Sequence, residues 1–212
     1  SYFAIHLNGG VVVPLHKDIP MQKYEEYSRL LAQGTAPNGV ADILYTTGTT
    51  GNAKAVMISH DAIWANTENL VCAQGFQSDL TFIINGPLNH IGSLSKVYPT
   101  IYAGATICLI DGMKDIRTFF HAIEQAPTKV ATFLVPAAIR MLITLWRNEL
   151  KDCADKIDFI ETGAAPMTAS DMELFCKLLP HSRLYNTYAS TETGIISTYN
   201  YNDGECIAGF WA

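Results

Sequence analysis

Within the nine residues from Thr46 to Lys54, TTGTTGNAK, stand four threonines, two glycines and one lysine. Binding an anion takes several donors converging on one point, and glycines let backbone N–H groups turn inward where a Cβ would obstruct. Gly48 and Gly51 supply that freedom, Thr46, Thr47, Thr49 and Thr50 supply uncharged hydroxyl donors, and Lys54 supplies a point charge. At an effective dielectric of about 20, one such charge about 4 Å from a phosphate oxygen is worth roughly 4 kcal/mol before desolvation is subtracted. That is the chemistry of a polyphosphate cradle. An ordinary strand-to-helix turn would account for the two glycines, but not for four threonines and a lysine beside them.

Such a loop works only if regular elements hold it. From about Ile43 onward, short apolar runs alternate with amphipathic stretches. The runs DILYTT (42–47), LTFIING (80–86), ATICLI (105–110), KVATFLVP (129–136), KIDFIETG (156–163) and SRLYNTYA (182–189) read as strands. The segments between them carry apolar residues at helical spacing, with Ser59 and Thr168 as N-caps and Asp171 at the acidic position of a capping box. Strands apolar on both faces, alternating with helices, predict an α/β fold with a largely parallel sheet flanked by helices. Ligands in such sheets sit beyond the carboxyl ends of the strands. Four loops there are unusual in composition: TTGTTGNAK, GPLNHIG, TGAAPM and YASTETG. Ahead of them, GGVVVPL reads as a strand and DIPMQKYEEYSRLLAQ as a helix.

With 212 residues, 49% of them apolar, the chain can bury a sizeable core as a single domain, 1–212. A net charge of −6 without a Lys/Arg cluster argues against nucleic acid or an anionic membrane surface as the main partner. Small molecules are the expected partners. Five scattered cysteines, none paired at metal-ligand spacing, read as core thiols in a reducing compartment. No basic leader and no transmembrane segment is legible, so a soluble, cytoplasmic protein is expected.

The Walker spelling G-x-x-x-x-G-K-[ST] fails at Ala53, before Lys54, and at Ala55, where a magnesium-binding hydroxyl would follow. YTTGTTGNAKAVMISH instead resembles the phosphate loop of the adenylate-forming superfamily, [ST]-[ST]-G-[ST]-[ST]-G-x-P-K-G, matching at Thr46, Thr47, Gly48, Thr49, Thr50, Gly51 and Lys54. Ala53 and Ala55 depart from the usual proline and glycine. YASTETG resembles the Y-G-x-T-E motif of that superfamily, and ETGAAPM its G-[GA]-[AG]-[PE]-[LM] segment. GPLNHIGSLS resembles the P-[LM]-x-H-x-x-G segment of acyl-CoA and aryl-CoA ligases, with Gly92 one residue early, and LNGGVVVPL resembles a structural segment, K-A-G-x-x-x-V-P-[LI]. Five segments in order, from Leu7 to Gly194, cover almost the whole chain.

The resemblance implies part of the large N-terminal domain of an enzyme that activates a carboxylic acid with ATP and Mg²⁺ and passes the acyl group to CoA. It implies that Lys54 and the threonines meet polyphosphate, Thr191 touches phosphate, and Glu192 holds Mg²⁺. Tyr188 with Gly163, Ala164 and Ala165 would border adenine, and His90 the acyl pocket. Each motif also has a plainer reading taken alone: Glu192 as a solvated acid, Tyr188 as a half-buried strand residue, His90 as a structural histidine, and Gly163 to Ala165 as a tight turn. His60 reads as a helix-start residue. PLNHIGSLSK contains no aspartate to meet an ammonium, which favours an acyl or aryl acid over an amino acid. Without the family's small C-terminal domain, the chain is expected to lack full ligase activity. A non-catalytic nucleotide-binding module and an amino-acid-activating adenylation domain are the alternatives.

Overall fold

The computed structural model describes residues 2–47, 53–202 and 205–208. The chain opens with α1 (Tyr2–Leu7) and α2 (Met21–Ala32), then a hairpin of β1 (Val40–Thr47) and β2 (Ala53–Ser59), and then α3 (His60–Gln74). Next come β3 (Leu80–Ile84), two short helices α4 (Ile91–Leu94) and α5 (Val97–Tyr102), β4 (Thr106–Leu109), α6 (Ile116–Gln125) and β5 (Lys129–Leu134). Helices α7 (Pro136–Leu145) and α8 (Arg147–Asp152) and a 3₁₀ turn lead to β6 (Ile157–Gly163), α9 (Ala169–Leu178), β7 (Arg183–Ser190), β8 (Gly194–Asn200) and β9 (Glu205–Ala208).

Seven strands form one sheet in the order β4-β3-β5-β6-β7-β8-β9, parallel through β7 and antiparallel for the last two. Every residue of β3 is buried, the pattern of a strand covered on both faces. Alternation divides its side chains: Ile83 joins a core with Phe119, Ile139 and Phe175 from α6, α7 and α9, while Phe82 joins one with Leu70, Leu94 and Val97 from the α3, α4 and α5 side. The strand order reverses between β3 and β5, and there Asn85 Nδ2 donates to Thr132 Oγ1 and to the Phe133 carbonyl, both at 2.9 Å.

Local signals place the helices. Ser59 Oγ accepts from the Ala62 N–H at 3.1 Å, and Gly75 ends α3 in the left-handed region at φ 65°. Thr168 Oγ1 caps α9 by accepting from the Asp171 N–H, while the Asp171 carboxylate turns to Arg140 at 2.8 Å. Pro136 starts α7, where its missing N–H costs nothing.

Several expectations are corrected. The strand before the phosphate loop is not part of the central sheet: β1 pairs with β2, a strand not expected from the sequence, in a separate two-stranded ribbon. GGVVVPL contributes a single bridge, Val12 to Asp42, rather than a strand. The helical segment after β5 breaks at Trp146, and the one after GPLNH breaks at Ser95 and Lys96. Cys72 is exposed rather than in the core; Cys153 is buried, and burial pushes its thiol up to about 11. The side chain of Cys206 lies outside the described residues. Among the described residues, no helix is long and apolar enough to cross a membrane.

Candidate functional site

The ribbon presents the glycine and threonine loop. Its antiparallel register sets Thr46 opposite Lys54, so hydroxyl and ammonium flank the same end, and Lys54 is exposed. Gly48, Thr49, Thr50 and Gly51 lie outside the described residues, as does the side chain of Thr47. A two-stranded ribbon is marginal by itself. Here it is tied on several sides. Val12 donates to the Ala41 carbonyl and accepts from the Ile43 N–H, each at 2.9 Å, and His60 N–H reaches the Gly39 carbonyl at 2.9 Å.

A buried polar cluster completes the anchoring. Tyr2 Oη donates to Asp42 Oδ2 at 2.5 Å, His6 Nε2 lies 3.1 Å from Asp42 Oδ1, and Tyr98 Oη sits 3.1 Å from Tyr2 Oη and 3.0 Å from His6 Nδ1. Only 1% of Asp42 is exposed. Burial raises its carboxyl above the usual range, against the pull of Tyr2 and His6, and raises the Tyr2 and Tyr98 phenols as well. The cluster joins α1, β1 and α5.

The other loops converge on the ribbon. His90 is exposed at the start of α4, with no side-chain cap bond, and Gly92 of α4 faces the Phe133 ring. Thr191 to Thr193 form the turn between β7 and β8, in which the Thr193 N–H donates to Ser190 Oγ at 3.2 Å. Asn66 of α3 accepts from the Ile195 N–H at 3.2 Å, so the helix that begins where the ribbon ends also holds the start of β8. Gly163 pairs with Thr187; a Cβ there would sit 2.6 Å from the Thr187 carbonyl oxygen, so only glycine fits. The chain then bends through Ala164, at φ 67°, and Ala164 and Ala165 emerge exposed next to Tyr188, itself 67% exposed. Glu192 is exposed and Thr191 half-buried.

Some of these positions line two spaces that have wall residues in common. A groove of about 620 Å³ is lined by Thr46, His90 and Thr191, together with Tyr45, Tyr27 and Lys23. A second cavity of about 220 Å³ shares Ile91 and Thr191 with the groove and extends between the ribbon, α3 and α4; Glu192 stands at its edge, Asp42 and Tyr98 contribute polar atoms, and its wall is mainly apolar. Thr46, His90 and Thr191 thus line one groove, Glu192 lines the second cavity and Lys54 lines neither, whereas Gly163, Ala164, Ala165 and Tyr188 gather at the neighbouring strand ends.

Other polar groups were missed. Lys96 Nζ lies 2.7 Å from Glu161 Oε2, both side chains 1% exposed, and Gln74 Nε2 donates to the same carboxylate at 3.0 Å. This pair joins the α4–α5 corner to β6 and the end of α3. The sequence offers only a weak signal: one lysine in SLSKVYPTIY and one glutamate beside Asp158 in IDFIETG, with nothing in the spacing that pairs them.

A divalent cation beside polyphosphate keeps several waters and takes one or two carboxylates. Glu192, an exposed carboxylate next to the Thr191 hydroxyl at the shared rim, fits that need.

A family model described as AMP-binding enzyme matches residues 11–209. The chain is 31% identical over 193 residues to an indoleacetate–CoA ligase of Aromatoleum aromaticum, covering 86% of this chain and 37% of that protein. It is 27% identical to nonribosomal peptide synthetase 7 of Aspergillus fumigatus, over 85% of this chain and 7% of that protein. The fold superposes on apo MatB from Rhodopseudomonas palustris with a TM-score of 0.81 at 21% identity, covering 96% of this chain and 49% of that one. The chain therefore spans about a third of the ligase and a small part of the synthetase.

Proposed function

The chain belongs to the AMP-binding enzyme family, and from that premise we propose that it serves ATP-dependent activation of a carboxylic acid, as the nucleotide-binding part of an acid–thiol ligase. One observation carries the reading: residues from three separate segments, Thr46, His90 and Thr191, line a single groove. In the reaction, a carboxylate oxygen of the acid bonds to the α-phosphorus as the bond to the α–β bridging oxygen breaks, releasing pyrophosphate and leaving an acyl-adenylate; the thiol of CoA then takes the acyl group and AMP leaves. The leaving group gathers negative charge, so preorganised donors aimed at it lower the barrier. Thr46, Thr47, Thr49, Thr50 and Lys54 take that role, together with Thr191. Magnesium, held by Glu192, supplies further neutralisation of phosphate charge when bound. Gly163 to Ala165 leave room for adenine, Tyr188 offers it an aromatic face, and His90 borders the acid's carboxylate.

The second cavity suits the body of the acid. An apolar cavity of about 150 Å³ holds benzene, so about 220 Å³ with walls from Ile58, Ile63 and Leu94 suits a single substituted ring or a short branched chain. The Asp42 carboxylate facing it already accepts from Tyr2 and His6, which leaves it poorly placed to meet an ammonium. An aryl or acyl acid is therefore favoured over an amino acid.

Calorimetry tests the reading. Mg·ATP and a sulfamoyl mimic of an aryl adenylate should both release heat on binding, the mimic binding more tightly because it occupies groove and cavity together. Absence of heat with both ligands, alongside a folded circular-dichroism spectrum, would reject it. The alanines at 53 and 55 favour a second reading, nucleotide binding without turnover. Release of pyrophosphate that depends on added acid separates the two.

A further inference from the structure

Helix α2 fully buries none of its residues. An aromatic pair joins it to the ribbon: Tyr27 lies flat on Tyr45, with ring centroids 3.9 Å apart and planes 6° apart. Tyr45 immediately precedes Thr46, the first hydroxyl of the phosphate loop. One helical turn before Tyr27, Lys23 places its ammonium over the Tyr27 ring, 6.0 Å from the centroid, and pairs with Glu26 at 3.0 Å. Lys23 and Tyr27 line the same groove as Thr46, His90 and Thr191, and Lys23 is the one lysine or arginine among the described residues lining it.

We propose that α2 forms the outer wall of the nucleotide groove and that Lys23, positioned by the Tyr27–Tyr45 stack, supplies a cation to the bound polyphosphate. The proposal rests on the nucleotide-binding reading above. Its electrostatic logic is simple. The hydroxyl donors lining the groove are uncharged, and Lys54, opposite Thr46 on the ribbon, does not line it; an ammonium on the α2 side would supply a cation there. Glu26 does not prevent this. An exposed lysine–glutamate pair on one helix is weak, so Lys23 exchanges it for a multiply charged phosphate at little cost. Asp18, which also lines the groove, opposes the effect, which limits Lys23 to a supporting role beside the loop.

The test compares ligands that differ only in phosphate count. Calorimetry with Mg·ATP and with AMP is run on the chain and on its Lys23→Met, Tyr27→Leu, Tyr27→Phe and Lys54→Met variants. Lys23→Met should weaken ATP about tenfold while AMP changes less than threefold. Tyr27→Leu should follow Lys23→Met, and Tyr27→Phe, which keeps the stack, should behave as the parent. Equal loss of both ligands in Lys23→Met would mean a merely structural role and overturn the proposal. So would unchanged ATP affinity in Lys23→Met while Lys54→Met has lost it, a result that leaves the nucleotide reading standing. If the parent chain bound neither ligand, both readings would fall together.

Discussion

Lys96 and Glu161 put two full charges where almost no water reaches them, and the worth of the pair depends on how it is broken. Removing one partner strands the other in a low-dielectric interior, which costs about 3–5 kcal/mol, whereas replacing both with neutral groups of similar shape is often close to neutral. Glu161 also accepts from Gln74, so its replacement must keep an acceptor. Lys96→Met is therefore expected to lower unfolding stability by about 3–5 kcal/mol in urea titration. Lys96→Met combined with Glu161→Gln should recover most of that loss, because the glutamine is uncharged and still receives the Gln74 amide. A double variant as unstable as the single one would mean that the charges themselves, rather than an unpaired ion, hold the α4–α5 corner to β6. At this scale the sequence was only partly legible. The hydroxyls and glycines of the loop announce themselves by type and spacing, but a buried ion pair is a relation between residues 65 apart in the chain, and each member alone looks like a solvated surface charge.

Among the elements, legibility followed the apolar and aromatic runs. Strands β3 to β7 were read to within two residues at each end, the partly exposed β4 and β7 as well as the covered β3, β5 and β6. Strand β2 was not. Its side chains are largely exposed or half-exposed, Met57 among them at 55%, and its pairing comes from β1 through a loop whose glycines and threonines mask the hairpin. The run GGVVVPL failed in the opposite sense: apolar enough for a strand, it finds only Asp42 to bridge. Since β2 passes into α3 without a spacer, Ser59 serves both, as the last strand residue and as the helix cap. Ser59→Ala should cost about 1 kcal/mol of stability. Hydrogen exchange should be faster in the first turn of α3 and in β2, and unchanged in β6. Equal loosening throughout would place the cap's effect on global unfolding instead of on the ribbon's hold.

For the molecule as a whole, the central sheet contributes residues to both cores. Neighbouring residues divide between them: Phe159 packs with Phe76, Phe82 and Tyr185 on one face, while Ile160 joins Met172 and Phe175 on the other. Truncating a buried phenylalanine removes its transfer free energy and leaves a cavity, together about 3–5 kcal/mol. Phe159→Ala and Phe175→Ala attack opposite faces, yet a shared sheet requires that each shift the same cooperative transition. We therefore propose that residues 2–208 unfold as one unit. Far-ultraviolet circular dichroism and tryptophan fluorescence should give coincident urea curves for the parent chain and for both variants, with midpoints lowered in each. If Phe175→Ala instead released a first transition confined to the α6–α9 layer while the α3 to α5 face stayed folded, the two faces would be separable. The groove would then have to be anchored by the ribbon and α3 without the support of the full sheet.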